Sequence, residues 1–272
     1  MKANAIGVRR SCLGACVMTD GEFYTSVAET IDPGSAVDFI NRYFAVLFRP
    51  VYEHGGFVAD LKGDGMLAVW VDGATVAEVK RRACRACLEI AEYGRQFSQA
   101  NASRGFGTRI GACFGPLALA TLGTPAHHEY RAVGDTVNIS SRLEQLNKEL
   151  GTRILVCGNL ATGMDEFLFR DLGHFQLRGK AKRVHVHELM ALRPASTARQ
   201  RLLCSEFAAA LGDYQHGRME SALERFRDLC ARFPSDGPAR VYLERCRKAA
   251  AERADLAQML QFLSCSPDRA AA

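Results

Sequence analysis

The spacing of apolar residues predicts alternating strands and helices over the first two thirds of the chain. Short continuous apolar runs indicate buried strands, whereas apolar residues that recur every three or four positions indicate amphipathic helices. Runs of the first kind cover 11–18, 57–61, 66–71, 108–113, 117–122, 153–157 and 183–192, and patterns of the second kind cover 34–54, 74–100 and 135–150. The chain therefore begins as a mixed α and β structure.

The order of these elements predicts the fold class and two tight turns. The first six elements read β-α-β-β-α-β, which is the ferredoxin-like split βαβ plan of an α+β domain, followed here by further strands and a helix. Lys62-Gly63-Asp64-Gly65 lies between two apolar runs and predicts a hairpin with Asp64 at or beside its tip. Gly115-Pro116 predicts a second hairpin. Ser26-x-x-Glu29 fits a capping box at a helix start.

The last quarter of the chain is expected to be helical. We divide the sequence into an N-terminal segment 1–10, a main domain 11–193, a linker 194–199 and a helical tail 200–272. The tail resembles a tetratricopeptide helix pair, because apolar residues fall on one face of each helix: Phe207, Ala210, Leu211 and Tyr214, then Ala222, Phe226 and Leu229. A single repeat cannot bury its own apolar face. The tail is therefore expected to be either a helical cap or a docking unit for a protein partner.

Composition narrows the classes of function. Hydrophobic residues make up 48% and charged residues 24%, as in ordinary globular proteins. The net charge of +5 combines 35 basic with 30 acidic residues, which does not indicate nucleic-acid binding. No apolar run reaches ~18 residues, so no membrane segment is expected. The ten scattered cysteines indicate free thiols and a cytoplasmic location, with the cytoplasmic part of a membrane-anchored protein as an alternative.

Two aspartates are the best candidates for chemistry. Asp20 follows the first strand and Asp64 lies in the predicted hairpin, and a split βαβ sheet can bring these places together at one edge. Two adjacent carboxylates repel each other unless a cation lies between them, and Mg²⁺ binds carboxylates together with substrate phosphates. The segment 21–25 leads into a helix whose first N–H groups suit a phosphate. The alternative is that both aspartates are only turn residues.

Five blocks of sequence follow one another over about residues 11–190. They are Val17 to Ser26 around Asp20, Gly55 to Trp70 around Asp64, Arg109-Ile110-Gly111 with Gly115-Pro116, Tyr130 to Glu144, and Leu177-Arg178-Gly179-Lys180. Together, in this order, they resemble the class III adenylate/guanylate cyclase catalytic domain. The glycine usual in the strand after Gly115 is replaced by Ala120. The resemblance implies an enzyme in which the ribose 3′-hydroxyl attacks the α-phosphate and pyrophosphate leaves.

The resemblance also implies roles for individual residues. Asp20 and Asp64 would hold two divalent cations, Mg²⁺ or Mn²⁺, with the carbonyl of Gly21 as a further ligand. Asn138 would position the ribose and Arg142 would stabilise charge on the α-phosphate. The remaining substrate-binding residues would be Lys180 at the terminal phosphates, Asp60 and Arg131 at the base, and Phe23, Tyr24 and Thr25 after the first metal aspartate. Because family members share each site between two subunits, a homodimer is implied.

The two base-reading positions depart from the family's pattern. Asp60 stands where the adenylate-forming members carry Lys, and Arg131 stands where Asp or Thr is common. The pair could read adenine through its N6 amine and a ring nitrogen. It could equally read guanine through N1–H, N2–H and O6. A third interpretation is that Asp60 and Arg131 pair with each other and leave the base to other groups.

The sequence thus predicts a bacterial adenylate cyclase acting in signal transduction. The blocks from Tyr130 to Asp135 and from Leu146 to Arg153 resemble bacterial members called adenylate cyclases, which favours ATP. The alternatives are a guanylate cyclase and a regulatory module that binds nucleotide without turnover. Cys84-x-x-Cys87 fits buried helix positions better than a metal site, and His127-His128 and His185-x-His187 lack evident partner ligands in the sequence.

Overall fold

The computed structural model describes residues 9–22, 29, 31–73, 75–101, 107–124 and 127–264. Its internal contacts divide the chain into two units, Met1–Thr197 and Ala198–Ala272. The capping box predicted from Ser26 and three site residues, Phe23, Tyr24 and Thr25, lie outside the described residues. No helix within the described ranges is long and apolar enough to cross a bilayer.

The first unit alternates strands and helices, as the hydrophobic pattern predicts. Its strands are β1 (Arg9–Glu22), β2 (Phe57–Lys62), β3 (Gly65–Trp70), β4 (Gly107–Thr124), β5 (His127–Val133), β6 (Ile154–Cys157), β7 (Phe167–Phe175) and β8 (Val184–Leu192). Its helices are α1 (Pro33–Glu53), α2 (Val76–Ala100), α3 (Asp135–Leu150) and the single turn α4 (Gly158–Ala161). Asp32 caps α1 and Thr75 caps α2, each by accepting a backbone N–H with its side chain.

One sheet joins all eight strands in the order β2-β3-β1-β4-β6-β8-β7, with β5 paired to β4 outside this path. The first four strands in this order, β2-β3-β1-β4, are arranged as in a ferredoxin-like sheet, and β1 is antiparallel to both β3 and β4. The α+β, ferredoxin-like fold class is therefore confirmed.

Helices α1 and α3 pack on opposite faces of the sheet. Thr108 points to the face that packs on α1, where its hydroxyl lies 2.9 Å from that of the buried Tyr43. Gly111 is three residues further along β4 and so points to the other face, where α3 packs. Cys84 and Cys87 are both buried in α2, which confirms that they are core positions.

The sheet differs from the sequence expectation at one turn and in two strands. The hairpin predicted at Gly115-Pro116 is wrong, because β4 runs without a break from Gly107 to Thr124 and pairs with β1 from Gly107 to Ala120. Pro116 lies opposite Leu13 in that ladder, so it acts as an extended residue and not as a turn. The apolar pattern also does not predict β5 or β7. Strand β5 pairs with β4, and β7 pairs with β8 through two irregular steps in register.

The second unit consists of three helices, α5 (Ala198–Gln215), α6 (Met219–Arg232) and α7 (Gly237–Ser264). Phe207, Phe226 and Tyr242 contribute one buried aromatic residue from each helix, and their ring centroids lie 5.2–5.7 Å apart. Asp213 accepts hydrogen bonds from Arg218 and Arg225 at 2.8 Å. The helical tail is thus present, whereas its likeness to tetratricopeptide repeats and the predicted domain limits stay predictions.

We predict that Gly111→Ala destabilises the first unit by about 3 kcal/mol, at the upper end of overpacking effects. A Cβ on Gly111 would lie 2.1 Å from both the Glu144 nitrogen and the Ser140 carbonyl oxygen of α3, and backbone atoms cannot rotate away. Urea unfolding measures the change in free energy. Gly34→Ala is the control, because its Cβ would meet only the flexible Asp32 side chain, and we expect it within about 1 kcal/mol of wild type. Equal stability of the two variants would contradict the close packing of α3.

Candidate active site

Asp20 and Asp64 come together at one end of the sheet. Asp20 lies near the end of β1, and Asp64 lies in the two-residue turn that joins β2 to β3. This turn is fixed against β1, because the backbone N–H of Met66 donates to the Thr19 hydroxyl at 3.2 Å. The predicted hairpin at Asp64 is therefore confirmed, and it brings the two carboxylates to the same edge.

Glycine allows this close approach of turn and strand. A Cβ on Gly65 would lie 2.4 Å from the carbonyl oxygen of Thr19, so no other residue fits without moving one of the two backbones. Gly63 opens the turn with a φ of 61°, a left-handed conformation that glycine adopts without strain. The Gly-Asp-Gly sequence is thus required by the geometry that presents Asp64.

The electrostatic surroundings of Asp64 disfavour the ionised form of its carboxyl group. Burial, and then the negative charge of Asp20, raise the pKa of Asp64 above its usual range. The backbone N–H groups of Asp64 and Gly21 and the charge of Arg109 offset part of this effect. A cation beside both carboxylates would lower the free energy of their ionised forms.

Arg109 supplies the positive charge that holds this acidic cluster together. It lies directly opposite Asp20 in the β1–β4 ladder, and its guanidinium forms an ion pair with the Asp20 carboxylate. The same group lies 3.6 Å from Glu22 and 3.3 Å from Glu144. The sequence analysis gave Arg109 no role, because a pairing across 89 residues depends on the strand register.

Glu144 is the second carboxylate near this site whose pKa is raised. It projects from α3 toward Arg109 and is only 7% exposed. Burial, followed by the charge of Asp20, raises the pKa of Glu144 to about 7, although Arg109 acts in the opposite direction. Close to neutral pH this residue is therefore poised between its neutral and ionised forms.

Asn138 and Arg142 lie on α3 but point away from this acidic cluster. Arg142 precedes Glu144 by two residues, which corresponds to ~200° around a helix, so their side chains leave opposite sides. The Arg142 guanidinium donates to Gln145 at 2.9 Å, and Asn138 is exposed. A single chain therefore does not bring Asn138 and Arg142 to Asp20 and Asp64.

The three remaining described candidates are held by ion pairs. Arg131 donates to Asp60 at 2.7 Å and also pairs with Glu129, so the two base-reading candidates contact each other, as the third interpretation of the sequence anticipates. Lys180 lies 2.5 Å and 2.6 Å from the two oxygens of Asp135, at the start of α3.

A family model described as "Adenylate and Guanylate cyclase catalytic domain" matches residues 15–191. The chain belongs to this family. Among curated proteins, the cyclase domain is similar to "Adenylate cyclase 1" of Rhizobium meliloti, with 31% identity over 182 residues, 65% of this chain and 27% of that protein. It is 25% identical over 198 residues to "Adenylate cyclase" of Anabaena cylindrica, covering 70% of this chain and 39% of the relative. The chain thus spans well under two thirds of these relatives.

Solved structures share the fold of the cyclase domain. The adenylyl cyclase CyaB from P. aeruginosa matches with a TM-score of 0.63 and 17% identity, over 70% of this chain and all of that one. The guanylate cyclase domain of RhGC from Catenaria anguillulae, in complex with GTP, matches with a TM-score of 0.58 and 21% identity, over 68% of this chain and all of that one. At such identities the likeness concerns the fold alone.

The pKa of Glu144 predicts how pH changes the stability of the cyclase domain. Its folded-state pKa of about 7 exceeds the ordinary 4.5, so the folded state binds more protons between these values and this group makes the fold less stable as pH rises. Glu144→Gln removes the effect. Relative to wild type, the variant should therefore gain stability from about pH 5 to about pH 8, by at most ~3 kcal/mol.

Urea unfolding in chelator-containing buffer at both pH values measures this difference. Glu149→Gln is the matched control, because it changes an exposed glutamate of the same helix. The prediction compares the free energy of unfolding of Glu144→Gln with that of wild type. If this difference stays constant, or shrinks as pH rises, the buried environment that raises the pKa of Glu144 is contradicted.

Proposed function

We propose that this chain is a nucleotidyl cyclase that converts ATP to 3′,5′-cyclic AMP and pyrophosphate in bacterial signal transduction. The observation that carries the proposal is the meeting of Asp20 and Asp64 at one edge of the sheet, in a member of the cyclase family. The name of the Rhizobium meliloti relative supports ATP as the substrate.

Asp20, Asp64 and the carbonyl of Gly21 are the proposed ligands for two divalent cations, Mg²⁺ or Mn²⁺. The chemistry of this donor set fits, because Mg²⁺ takes oxygen ligands and completes its shell with phosphates. The raised pKa of Asp64, caused by burial and by Asp20, also supports a place for positive charge. When bound, such cations stabilise the negative charge of a reacting triphosphate.

The other site residues are proposed to bind and orient the substrate. Arg142 would stabilise charge on the α-phosphate, since a guanidinium offers planar, bidentate donors to phosphate oxygens. Asn138, one turn earlier on α3, would hold the ribose. Lys180 would contact the terminal phosphates, which requires it to exchange Asp135 for the substrate. Phe23, Tyr24 and Thr25 are proposed to line the same site.

A homodimer is proposed because one chain separates the two halves of the site. The acidic cluster lies on one side of α3, and Asn138 and Arg142 leave another side, so a second copy is needed to complete each site. Half-buried apolar side chains support such an interface. These side chains lie on the α3 face of the sheet and pack around a buried cluster that includes Cys16 and Leu67. They are Cys12, Met18, Phe57, Ala59, Val71 and Val137.

Asp60 and Arg131 are proposed to recognise the base after their mutual ion pair opens. Their 2.7 Å contact leaves the Asp60 carboxylate partly exposed, at 28%, and Arg131 at 42%, so both can turn toward a ligand. An acidic residue at this position also suits guanine, through its N1–H and N2–H donors. GTP is therefore the second candidate substrate.

Two rival functions are a regulatory module without turnover and a scaffold whose helical unit binds a protein partner. The closed Asp60–Arg131 pair favours the first, because it occupies both base-reading groups. The three-helix unit with its own aromatic core favours the second. The regulatory module predicts that no cyclic nucleotide forms, and the scaffold predicts an activity-independent interaction with its partner through residues 200–250.

Turnover of ATP and GTP, each with Mg²⁺ and with Mn²⁺, tests the proposed function. We expect wild type to form cyclic AMP faster than cyclic GMP, and Asp20→Ala to lose at least ~100-fold in rate, because the loss of charge stabilisation acts on the transition state. Asp38→Ala on the exposed face of α1 is the control and should keep wild-type activity. Absence of any cyclic nucleotide would reject the enzyme, and faster cyclic GMP formation would reject ATP as the main substrate.

A further inference from the structure

The far end of the sheet carries three metal-ligating side chains that the cyclase chemistry does not use. Asp171 lies on β7, while His185 and His187 lie two residues apart on β8 and so point to the same face. The strands β4 and β6 lie between β8 and β1, which separates this cluster from Asp20. The two histidines are evident in the sequence as His185-x-His187. Asp171 has no such local signal, because it lies 14 residues before His185 on the neighbouring strand.

The pairing of β7 and β8 brings the three groups together. Asp171 lies directly opposite His187 in the ladder, and its Oδ1 lies 2.8 Å from the Nε2 of His185. One ligand atom from each of the three residues lies within 4.8 Å of the other two. Ligands of a tetrahedral Zn²⁺ are ~3.3 Å apart, given bonds of ~2.0 Å, so side-chain shifts of at most ~1.5 Å would complete the site.

An irregularity in β7 fixes the carboxylate. The register shifts between Asp171 and His174, and the backbone N–H of Gly173 donates to Oδ1 of Asp171 at 2.7 Å. The shift also brings the ring of His174 onto that of His185, with centroids 4.5 Å apart and an angle of 10° between the planes. Bulges of this kind re-aim side chains, and here the bulge places the Asp171 carboxylate and the His174 ring beside the two histidines of β8.

His187 supplies an observation that a simple Asp–His pair leaves unexplained. Its Nδ1 atom is buried and makes no hydrogen bond among the described residues. Buried polar atoms in native proteins nearly always have a partner, and those without one indicate a missing water or ion.

We propose that Asp171, His185 and His187 bind one divalent transition-metal ion, of which Zn²⁺ is the best match, and that this ion ties β7 to β8. Two imidazoles and one carboxylate form a donor set that zinc prefers, whereas Mg²⁺ prefers oxygen ligands alone. The ion would leave one coordination position for water. The site does not depend on the proposed cyclase activity.

Calorimetric titration of Zn²⁺ into the full chain, in the presence of excess Mg²⁺, tests the proposal. Mg²⁺ competes at the oxygen-rich Asp20–Asp64 site, so the remaining Zn²⁺ signal comes from sites with nitrogen or thiolate ligands, and the histidine variants separate these two classes. We expect one tight equivalent in wild type, with the affinity weakened at least ~10-fold in both His185→Gln and His187→Gln. His216→Gln, which removes a histidine from the helical unit, is the control and should bind as wild type does.

NMR of the histidine side-chain nitrogens in the unmodified protein gives a second, independent result. Zn²⁺ should shift the ring signals of His185 and His187 and saturate at one equivalent, even if the glutamine variants fail to fold. Unchanged ring signals, or variants that bind Zn²⁺ as tightly as wild type, would overturn the proposal.

Discussion

The approach of the β2–β3 turn to the end of β1 is the constraint on which the proposed site depends. Gly65 lies so close to the Thr19 carbonyl that a single Cβ would force the two backbones apart. The approach sets Asp64 beside Asp20, and burial, followed by the charge of Asp20, raises the pKa of Asp64. Arg109 compensates from the neighbouring strand by pairing with Asp20. The fold itself therefore brings together the two carboxylates that we propose as metal ligands.

Helix α3 links that edge to the rest of the proposed chemistry. The helix packs so closely on Gly111 that Glu144 reaches Arg109. The close packing also buries Glu144, and this burial, followed by the charge of Asp20, raises the pKa of Glu144 to about 7. The same orientation turns Asn138 and Arg142 outward. One helix thus serves the acidic cluster of its own chain with one side and, in the proposed dimer, the partner's substrate with the other.

Local patterns predicted much of the fold because they depend on near neighbours. The turn at Asp64, the alternation of the first strands with α1 and α2, and the amphipathic stripe of α3 all follow from short-range spacing. The hairpin expected at Gly115-Pro116 failed because pairing with β1 overrides the turn preference of those two residues. Strand β7 carries no simple alternation, since its register breaks twice against β8.

The groups that the sequence analysis missed are joined by register and not by spacing. Arg109 meets Asp20 across the β1–β4 ladder, and Asp171 meets His187 across the β7–β8 ladder. Neither contact has a signature in the chain, because strand pairing depends on the whole sheet. The Asp60–Arg131 ion pair, in contrast, was one of three interpretations that opposite charges at the base-reading positions allowed.

The most direct test of the account is whether two inactive variants restore each other's activity. Asp20→Ala removes a metal ligand, and Arg142→Ala removes the proposed phosphate contact from the other half of the site. If each site combines halves from two chains, an equal mixture forms heterodimers with one intact site, and activity should return to about a quarter of wild type. A mixture no more active than either variant alone, with heterodimers present, would contradict the shared site.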